Sequence, residues 1–107
     1  MSNIILLKPE IVLTQSLTLS PTTLMQDMLG ESALLNLGTE IYFSQNSIAT
    51  QMLLALINSD SIAVAYEKLL NQFDVEAERL QSDLLTFIQQ LLDAGLVDLK
   101  ATTIAIA

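Results

Sequence analysis

The sequence contains no cysteine and no histidine among its 107 residues. Without them the chain cannot supply a zinc-finger ligand set, a disulfide framework, a catalytic triad or a cysteine nucleophile. The side chain that most often acts as a general base near neutral pH is also missing. The carboxylates stand at no recognisable catalytic spacing, and no glycine-rich phosphate loop is present. We therefore expect a domain that is not an enzyme and holds neither a metal nor a cofactor.

Basic residues are scarce, with 4 lysines and arginines against 12 aspartates and glutamates and a net charge of -8. Nucleic-acid binding depends on many Lys and Arg contacts with phosphates, so DNA is a poor ligand for this chain, and so is an anionic membrane. An apolar content of 51% and a mean hydropathy of +0.52 are too high for a disordered acidic tail. The composition indicates one folded, acidic domain.

No apolar run in the sequence is long enough to cross a membrane. The longest covers residues 52–57, whereas a membrane helix needs roughly 20 residues. The apolar run at residues 4–7 is too short for the core of a signal peptide, and no positive side chain precedes it. We therefore expect a soluble, cytoplasmic protein with no membrane or nucleic-acid partner.

The first 46 residues hold both prolines and two of the three glycines, and their apolar stretches are short and separated by turn-forming residues. This composition is typical of strands. The candidate strands cover residues 11–13, 24–29, 32–37 and 40–44. Only Gly38 and Thr39 separate the last two, which predicts a tight hairpin.

From Asn46 onward the spacing of apolar residues becomes helical. Asn46 or Ser47 can cap a first helix, and Asp60 or Ser61 can cap a second that runs to Phe73. A third helix is predicted over residues 75–94, with Gly95 as its stop. The residues predicted to line the apolar faces are Ile48, Met52, Leu53, Leu56 and Ile57, then Ala65, Leu69 and Phe73, then Leu80, Leu84, Phe87, Ile88, Leu91 and Leu92.

Strands followed by helices predict an α+β domain. We expect a three-stranded antiparallel sheet followed by three helices in a winged helix-turn-helix-like arrangement, with a further strand or wing at residues 96–99. Residues 1–22 are assigned to an N-terminal extension that can add a strand, 23–99 to the domain itself, and 100–107 to a C-terminal tail.

The residues of this layout resemble those of the PqqD-like proteins, also called RiPP recognition elements. The stretches that carry the resemblance are ALLNLGTEIYF at 33–43, Asn46, YEKL at 66–69, FDV at 73–75, DL at 83–84 and LLDAGLV at 91–97. Each is weak alone, but their order and spacing together are fairly specific. The chain departs from the family in having Leu53 where an aromatic, typically Trp, is common, and Gln45 where an apolar residue precedes the Asn.

The resemblance implies a protein that binds the leader segment of a ribosomally made precursor peptide and presents it to a separate modifying enzyme or leader peptidase. In similar proteins the leader adds as an extra strand along the third strand and lies in the groove between that strand and the third helix. Here residues 40–44 would offer the unpaired edge, and such an edge accepts a peptide by β-augmentation. Pairing of two copies through the same edge, as a homodimer, stays open.

The expected peptide-binding residues belong to this edge strand and to one stripe of the third helix. They are Ile41, Tyr42, Phe43, Ser44, Arg79, Leu80, Asp83, Leu84 and Phe87. Strand alternation places Ile41 and Phe43 on one face and Tyr42 on the other, so one of the two aromatic side chains packs in the core. Asp83 is either an acceptor for a basic or hydroxyl group of the leader or the partner of Arg79, one helical turn earlier.

Two other interpretations concern different classes of protein. Asp60-Ser61-Ile62 resembles the Asp-Ser-Leu of acyl carrier proteins, which would make Ser61 a phosphopantetheine site, although carriers have a helix where this chain has its hairpin and Ser is a common N-cap. A winged-helix DNA regulator has the same order of helices. It would need a basic recognition face, yet the third helix contains only Arg79 and the second only Lys68.

Overall fold

The computed structural model describes residues 13–100, so most of the expected N-terminal extension and C-terminal tail lies outside it. The strands are β1 (Ser16–Leu19), β2 (Thr23–Met28), β3 (Glu31–Asn36), β4 (Tyr42–Gln45) and β5 (Val97–Lys100), and the helices are α1 (Ser47–Ile57), α2 (Ile62–Gln72) and α3 (Ala77–Asp93). β2, β3 and β4 form an antiparallel sheet in that order, and the three helices follow it. The expected α+β class, with a three-stranded sheet ahead of three helices, is confirmed.

β2 and β3 are joined by a two-residue turn, with Met28 paired to Glu31. Leu29 and Gly30 in the turn both have positive φ, 56° and 89°. This combination belongs to a type I′ turn, whose twist matches that of the flanking strands. Gly30 adopts it without a Cβ penalty. The side chain of Leu29 is fully exposed, so no burial offsets the strain of its backbone.

Asn36 ends β3 and organises the connection to β4. Its Oδ1 accepts hydrogen bonds from the N–H groups of Gly38 and Thr39, at 2.9 and 3.3 Å. Its Nδ2 donates to the carbonyl oxygen of Gly95 at 2.8 Å. The residue is only 5% exposed, so water cannot easily replace these partners. One side chain therefore ties the loop of the sheet to the end of α3.

The connection between β3 and β4 is longer than the sequence suggested. It covers residues 37–41, so β4 starts at Tyr42. The N–H of Asn36 donates to the carbonyl of Ile41 at 2.9 Å, and Glu40, not a glycine, takes the left-handed φ of 64°. The predicted two-residue turn is therefore wrong, because the Asn36 side chain closes a wider loop.

β1 and β5 form a separate two-stranded antiparallel sheet in which Leu17 lies opposite Leu99. The strand expected after the third helix is thus present. Of the strand expected at 11–13, the first two residues lie outside the described part of the chain and Leu13 lies in a turn. The strand on this side begins later, at Ser16.

The first two helices begin at the residues expected to cap them. Asn46 Oδ1 accepts a hydrogen bond from the N–H of Ala49 at 2.9 Å, and Ser61 Oγ accepts one from the N–H of Val64 at 3.2 Å. Both satisfy donors that a helix leaves unpaired in its first turn. α3 starts two residues later than expected, after Glu76, which makes no side-chain capping bond.

α3 ends at Asp93, and Gly95 stops it, as expected. Gly95 has a φ of 72°, and its N–H donates to the carbonyl of Leu92 while the N–H of Leu96 donates to that of Leu91, both at 3.0 Å. These two bonds define a Schellman motif, which favours glycine at this position. A Cβ here would also lie 3.1 Å from Asn36 Nδ2, so the glycine serves the contact with β3 as well.

The core lies between the two sheets and the helices. Its most deeply buried apolar residues are Leu17, Leu34, Leu53, Leu56, Ile62, Ala65, Leu69, Leu84, Ile88, Leu91 and Leu96. Ile88 and Leu91 were expected there, whereas Leu92 is only half-buried. On α1 the buried face differs from the prediction, because Thr50 is buried and Ile48 is exposed.

A small polar cluster explains why Thr50 turns inward. Its Oγ1 lies 2.8 Å from Ser32 Oγ, and Ser32 Oγ donates to Gln45 Oε1 at 3.0 Å. The three side chains are buried where β3, β4 and α1 meet. Gln45 Nε2 has no hydrogen-bond partner among the described residues. The cluster includes Gln45, at which the sequence departs from the PqqD-like proteins that it resembles.

Two further features are absent from residues 13–100. The longest helix there, α3, has 17 residues, and no helix is both long and apolar enough to span a membrane. Nor do three or more metal-ligating side chains come together as a possible ion site in this part of the chain.

Replacing Asn36 with alanine should lower the free energy of unfolding by roughly 2 to 4 kcal/mol, because a buried group that loses its partner costs about 1 to 3 kcal/mol. Urea unfolding followed by circular dichroism measures the loss. Asn46→Ala is the matched control, since it removes one exposed capping bond worth about 1 kcal/mol. Equal losses in the two variants would contradict the role given to Asn36.

Candidate peptide-binding site

β4 pairs with β3 on one side and with no strand on its other side among the described residues. In an antiparallel pair, the main-chain groups of successive residues point alternately toward the partner and away from it. The bond from Asn36 N–H to the carbonyl of Ile41 fixes the phase of this alternation. Phe43 therefore directs its N–H and C=O to β3, whereas Tyr42 and Ser44 direct theirs outward. We call the outward main chain of Tyr42 and Ser44 the open edge.

The side chains of β4 alternate in the same way. Phe43 is half-buried and packs against the core, as one of the two aromatic residues had to do. Tyr42 and Ser44 are exposed on the opposite face of the sheet. Ile41 is exposed in the loop ahead of the strand. Of the four predicted contact residues at this edge, Tyr42 and Ser44 supply the outward main chain.

A groove of about 570 Å³ opens beside the first turns of α3. Its apolar lining consists of Ile48, Met52, Phe73, Val75 and Leu80. Ile48 is 51% exposed and Val75 47%, so the groove offers apolar surface that the fold leaves uncovered. Its volume is in the range of side-chain and small-ligand pockets, roughly 300 to 1,000 Å³. Since β4 leads directly into α1, the chain passes from the open edge to the groove within a few residues.

The rim of the groove is acidic. Asp74, Glu76 and Asp83 line it together with Arg79. Arg79 Nε lies 3.6 Å from Asp83 Oδ2, which is the ion pair expected at this helical spacing. Both side chains are largely exposed, at 75% and 59%, and exposed pairs of this kind contribute at most a few tenths of a kcal/mol. The pair can therefore open at little cost when another partner binds.

The predicted contact residues of α3 divide into two groups. Arg79, Leu80 and Asp83 line the groove. Leu84 and Phe87 are buried in the core, at 1% and 9% exposed, and do not line the groove. Contact between any of these residues and a peptide stays a prediction.

Sequence reasoning missed most of the groove wall. It assigned Ile48, Met52 and Phe73 to the apolar faces of helices, yet all three line the groove. The sequence feature that could have indicated the groove is the run FDV at 73–75, where an acidic residue stands between two apolar ones at the break between α2 and α3.

Neither alternative class gains support from the structure. The hydroxyl of Ser61 accepts the capping bond of α2, which is the ordinary role of a serine at this position. The strands β2 to β4 occupy the part of the chain where a carrier protein has a helix. In α3 the single base, Arg79, is paired with a carboxylate, so no basic recognition face is formed.

A family model matches residues 31–97, more than half of the chain, and it describes coenzyme PQQ synthesis protein D, PqqD. The chain belongs to this family. The matched region runs from the first residue of β3 to the first residue of β5 and so contains the open edge and the whole groove. The resemblance seen in the sequence is confirmed.

Two solved structures are similar to this PqqD-family chain. One is TbiB1 in complex with the TbiA(beta) leader peptide, with a TM-score of 0.70, 19% identity, and coverage of 75% of this chain and 93% of TbiB1. The other is lasso peptide synthetase B1 complexed with the leader peptide, with a TM-score of 0.70, 19% identity, and coverage of 78% and 98%. At this identity the likeness shows a shared fold. No curated protein sequence gives a significant match.

Proposed function

We propose that this chain is a non-catalytic adaptor that binds the leader segment of a ribosomally synthesised precursor peptide and presents it to a separate modifying enzyme or leader peptidase. The leader adds as a strand along the open edge and places side chains in the groove beside α3. Binding takes place in the cytoplasm, where ribosomes make the precursor. The two similar structures, each solved with a leader peptide, support this proposal.

The open edge is the observation that carries the proposal. Native edge strands are usually protected from pairing by charged side chains, proline or a bulge. β4 has the sequence Tyr-Phe-Ser-Gln, with no charge and no proline. An edge without charge or proline suits β-augmentation, in which main-chain hydrogen bonds supply affinity with little dependence on sequence.

Selectivity among leader sequences comes from the groove, because main-chain pairing along the edge depends little on sequence. Its apolar wall, with Ile48 and Val75 half exposed, suits an aliphatic or aromatic side chain of the leader. The acidic rim favours Lys or Arg beside that anchor. Because the Arg79–Asp83 pair is exposed, Asp83 can exchange its partner for a basic or hydroxyl group of the leader.

The chain itself performs no chemical step in this proposal. By holding the leader, it keeps the rest of the precursor close to the active site of the enzyme and raises the effective concentration of that substrate. Affinity can come from main-chain pairing and one apolar anchor. Neither requires a cofactor, nor histidine or cysteine, which the sequence lacks.

Asp83→Ala should weaken leader binding about three- to tenfold, because it removes a charged acceptor from the rim. The stability should change by less than about 0.5 kcal/mol, since the ion pair is exposed. Fluorescence polarisation with a labelled leader of its precursor peptide measures binding, and thermal unfolding measures stability. Glu78→Ala is the matched control, because it removes the same charge from α3 outside the groove. Binding equal to that of the unmodified chain would reject the assignment of Asp83.

Tyr42→Pro should abolish most leader binding and leave the circular dichroism spectrum nearly unchanged, because it removes an N–H that points outward. Phe43→Pro is the matched control. It removes an N–H that pairs with β3, so the hairpin should unfold and the spectrum should change. A folded Tyr42→Pro variant that binds the leader normally would show that the leader does not add along this edge.

A further inference from the structure

The groove beside α3 combines an apolar wall with an acidic rim. Ile48 and Val75 in its wall are half exposed, so they offer apolar surface that the fold leaves uncovered. Asp74 and Glu76 on its rim form no ion pair with any base of the described chain. The groove therefore favours a segment in which aliphatic residues stand next to a lysine or arginine.

The chain has one segment of this chemistry ahead of the described residues. Residues 4–8 read Ile-Ile-Leu-Leu-Lys, the one place in the sequence where four consecutive aliphatic residues are followed by a base. Pro9 comes next, and a proline favours an extended backbone at the residue before it. An extended segment suits a groove, because it can place its side chains along the wall.

The position of Leu13 brings this segment within reach of the groove. The carbonyl of Leu13 accepts a hydrogen bond from the N–H of Ala63 at 2.9 Å, so the described chain starts beside the first turn of α2. α2 has 11 residues and spans roughly 17 Å, and Phe73 at its other end lines the groove. Residues 8–12 cover about the same distance when extended, at about 3.3 Å per residue. Lys8 can therefore reach the acidic rim.

We infer that residues 4–8 occupy the groove when no leader is bound. Their aliphatic side chains lie against its apolar wall, and Lys8 lies beside Asp74 and Glu76. The segment covers the groove only, so the open edge stays unpaired until a leader arrives. The consequence for binding rests on the proposed function, because a leader must displace the segment before its own side chains can enter the groove.

Charge and distance favour this segment over two other occupants. The C-terminal tail starts at the same end of the molecule, because Lys100 pairs with Ser16. Residues 101–107 contain aliphatic side chains but no base, so they lack the group that the rim selects. A second copy would have to bring the same segment against a net charge of -8 on each chain. A segment on the same chain instead has an effective concentration that is roughly millimolar.

A tethered segment needs only weak affinity to control the groove. At an effective concentration of roughly 1 mM, an intrinsic Kd of about 0.1 mM fills the groove in about nine chains of ten. The apparent Kd for leader then rises about tenfold, since only the open chains bind it. Peptides that bind weakly stay below a useful occupancy, whereas a leader that also pairs with the open edge exceeds it.

A spin label tests the occupation directly, because the chain has no cysteine and one can be introduced at a chosen position. Asn3→Cys places the label ahead of the segment, and Thr103→Cys places it in the C-terminal tail as the matched control. In the free chain the label at position 3 should broaden the amide signals of Met52 and Val75 more strongly than the label at position 103, and saturating leader should restore them.

Equal broadening from the two labels, or none at the groove, would overturn the inference. So would broadening in a mixture of labelled chains with unlabelled, isotopically enriched chains, because it would show that a second copy fills the groove.

Leader affinity tests the displacement. We expect Leu6→Ser combined with Leu7→Ser to tighten leader binding about three- to tenfold in fluorescence polarisation, because the groove is then open in more of the chains. Ile104→Ser combined with Ile106→Ser makes the same change in the C-terminal tail and should bind like the unmodified chain. Equal leader affinity of the two double variants would contradict displacement of the segment by the leader.

Lys8→Gln should tighten leader binding about twofold, as the loss of an exposed ion pair does, whereas Lys100→Gln on β5 should leave it unchanged. Equal affinity of these two variants would reject the contact of Lys8 with the rim. The proposed function fails separately. If neither the unmodified chain nor the Leu6→Ser, Leu7→Ser variant binds a leader, that function is wrong, while the spin label in the free chain still decides whether the segment occupies the groove.

Discussion

The hydrogen bonds of the Asn36 side chain hold the rest of the site in place. They close the loop ahead of β4 and join it to the carbonyl of Gly95 at the end of α3. Because the main chain of Asn36 also pairs with Ile41, this residue fixes which groups of β4 face β3 and which face outward. The open edge is therefore a consequence of one buried amide, placed where sheet and helix meet.

The binding surfaces use only what this composition offers. Main-chain groups at Tyr42 and Ser44 provide pairing, apolar side chains that the core leaves uncovered provide an anchor, and carboxylates set the sign of the charge. The rim of the groove is acidic, so the leader is expected to approach it with basic groups. The excess of acidic residues thus acts on partner choice and not only on solubility.

Local chemistry was enough to predict the order of elements and the helix ends at Ser61 and Gly95, because caps and stops depend on neighbouring residues. The loop to β4 was not predicted, because the Asn36 side chain that closes it is also held by the carbonyl of Gly95, 59 residues later in the chain. The groove was missed for a related reason. Helical spacing allows either Ile48 or Thr50 to face the core. Hydrogen bonding with Ser32 of β3, which also bonds Gln45 of β4, favours Thr50. Ile48 is then left to line the groove.

The central claim is that a leader strand pairs with the outward main chain of β4. Amide hydrogen exchange, resolved by residue with nuclear magnetic resonance, tests this most directly. In the free chain the amides of Tyr42 and Ser44 should exchange rapidly while that of Phe43 is protected, and saturation with leader should protect Tyr42 and Ser44 as well. Rapid exchange at both positions in the saturated complex would contradict the claim.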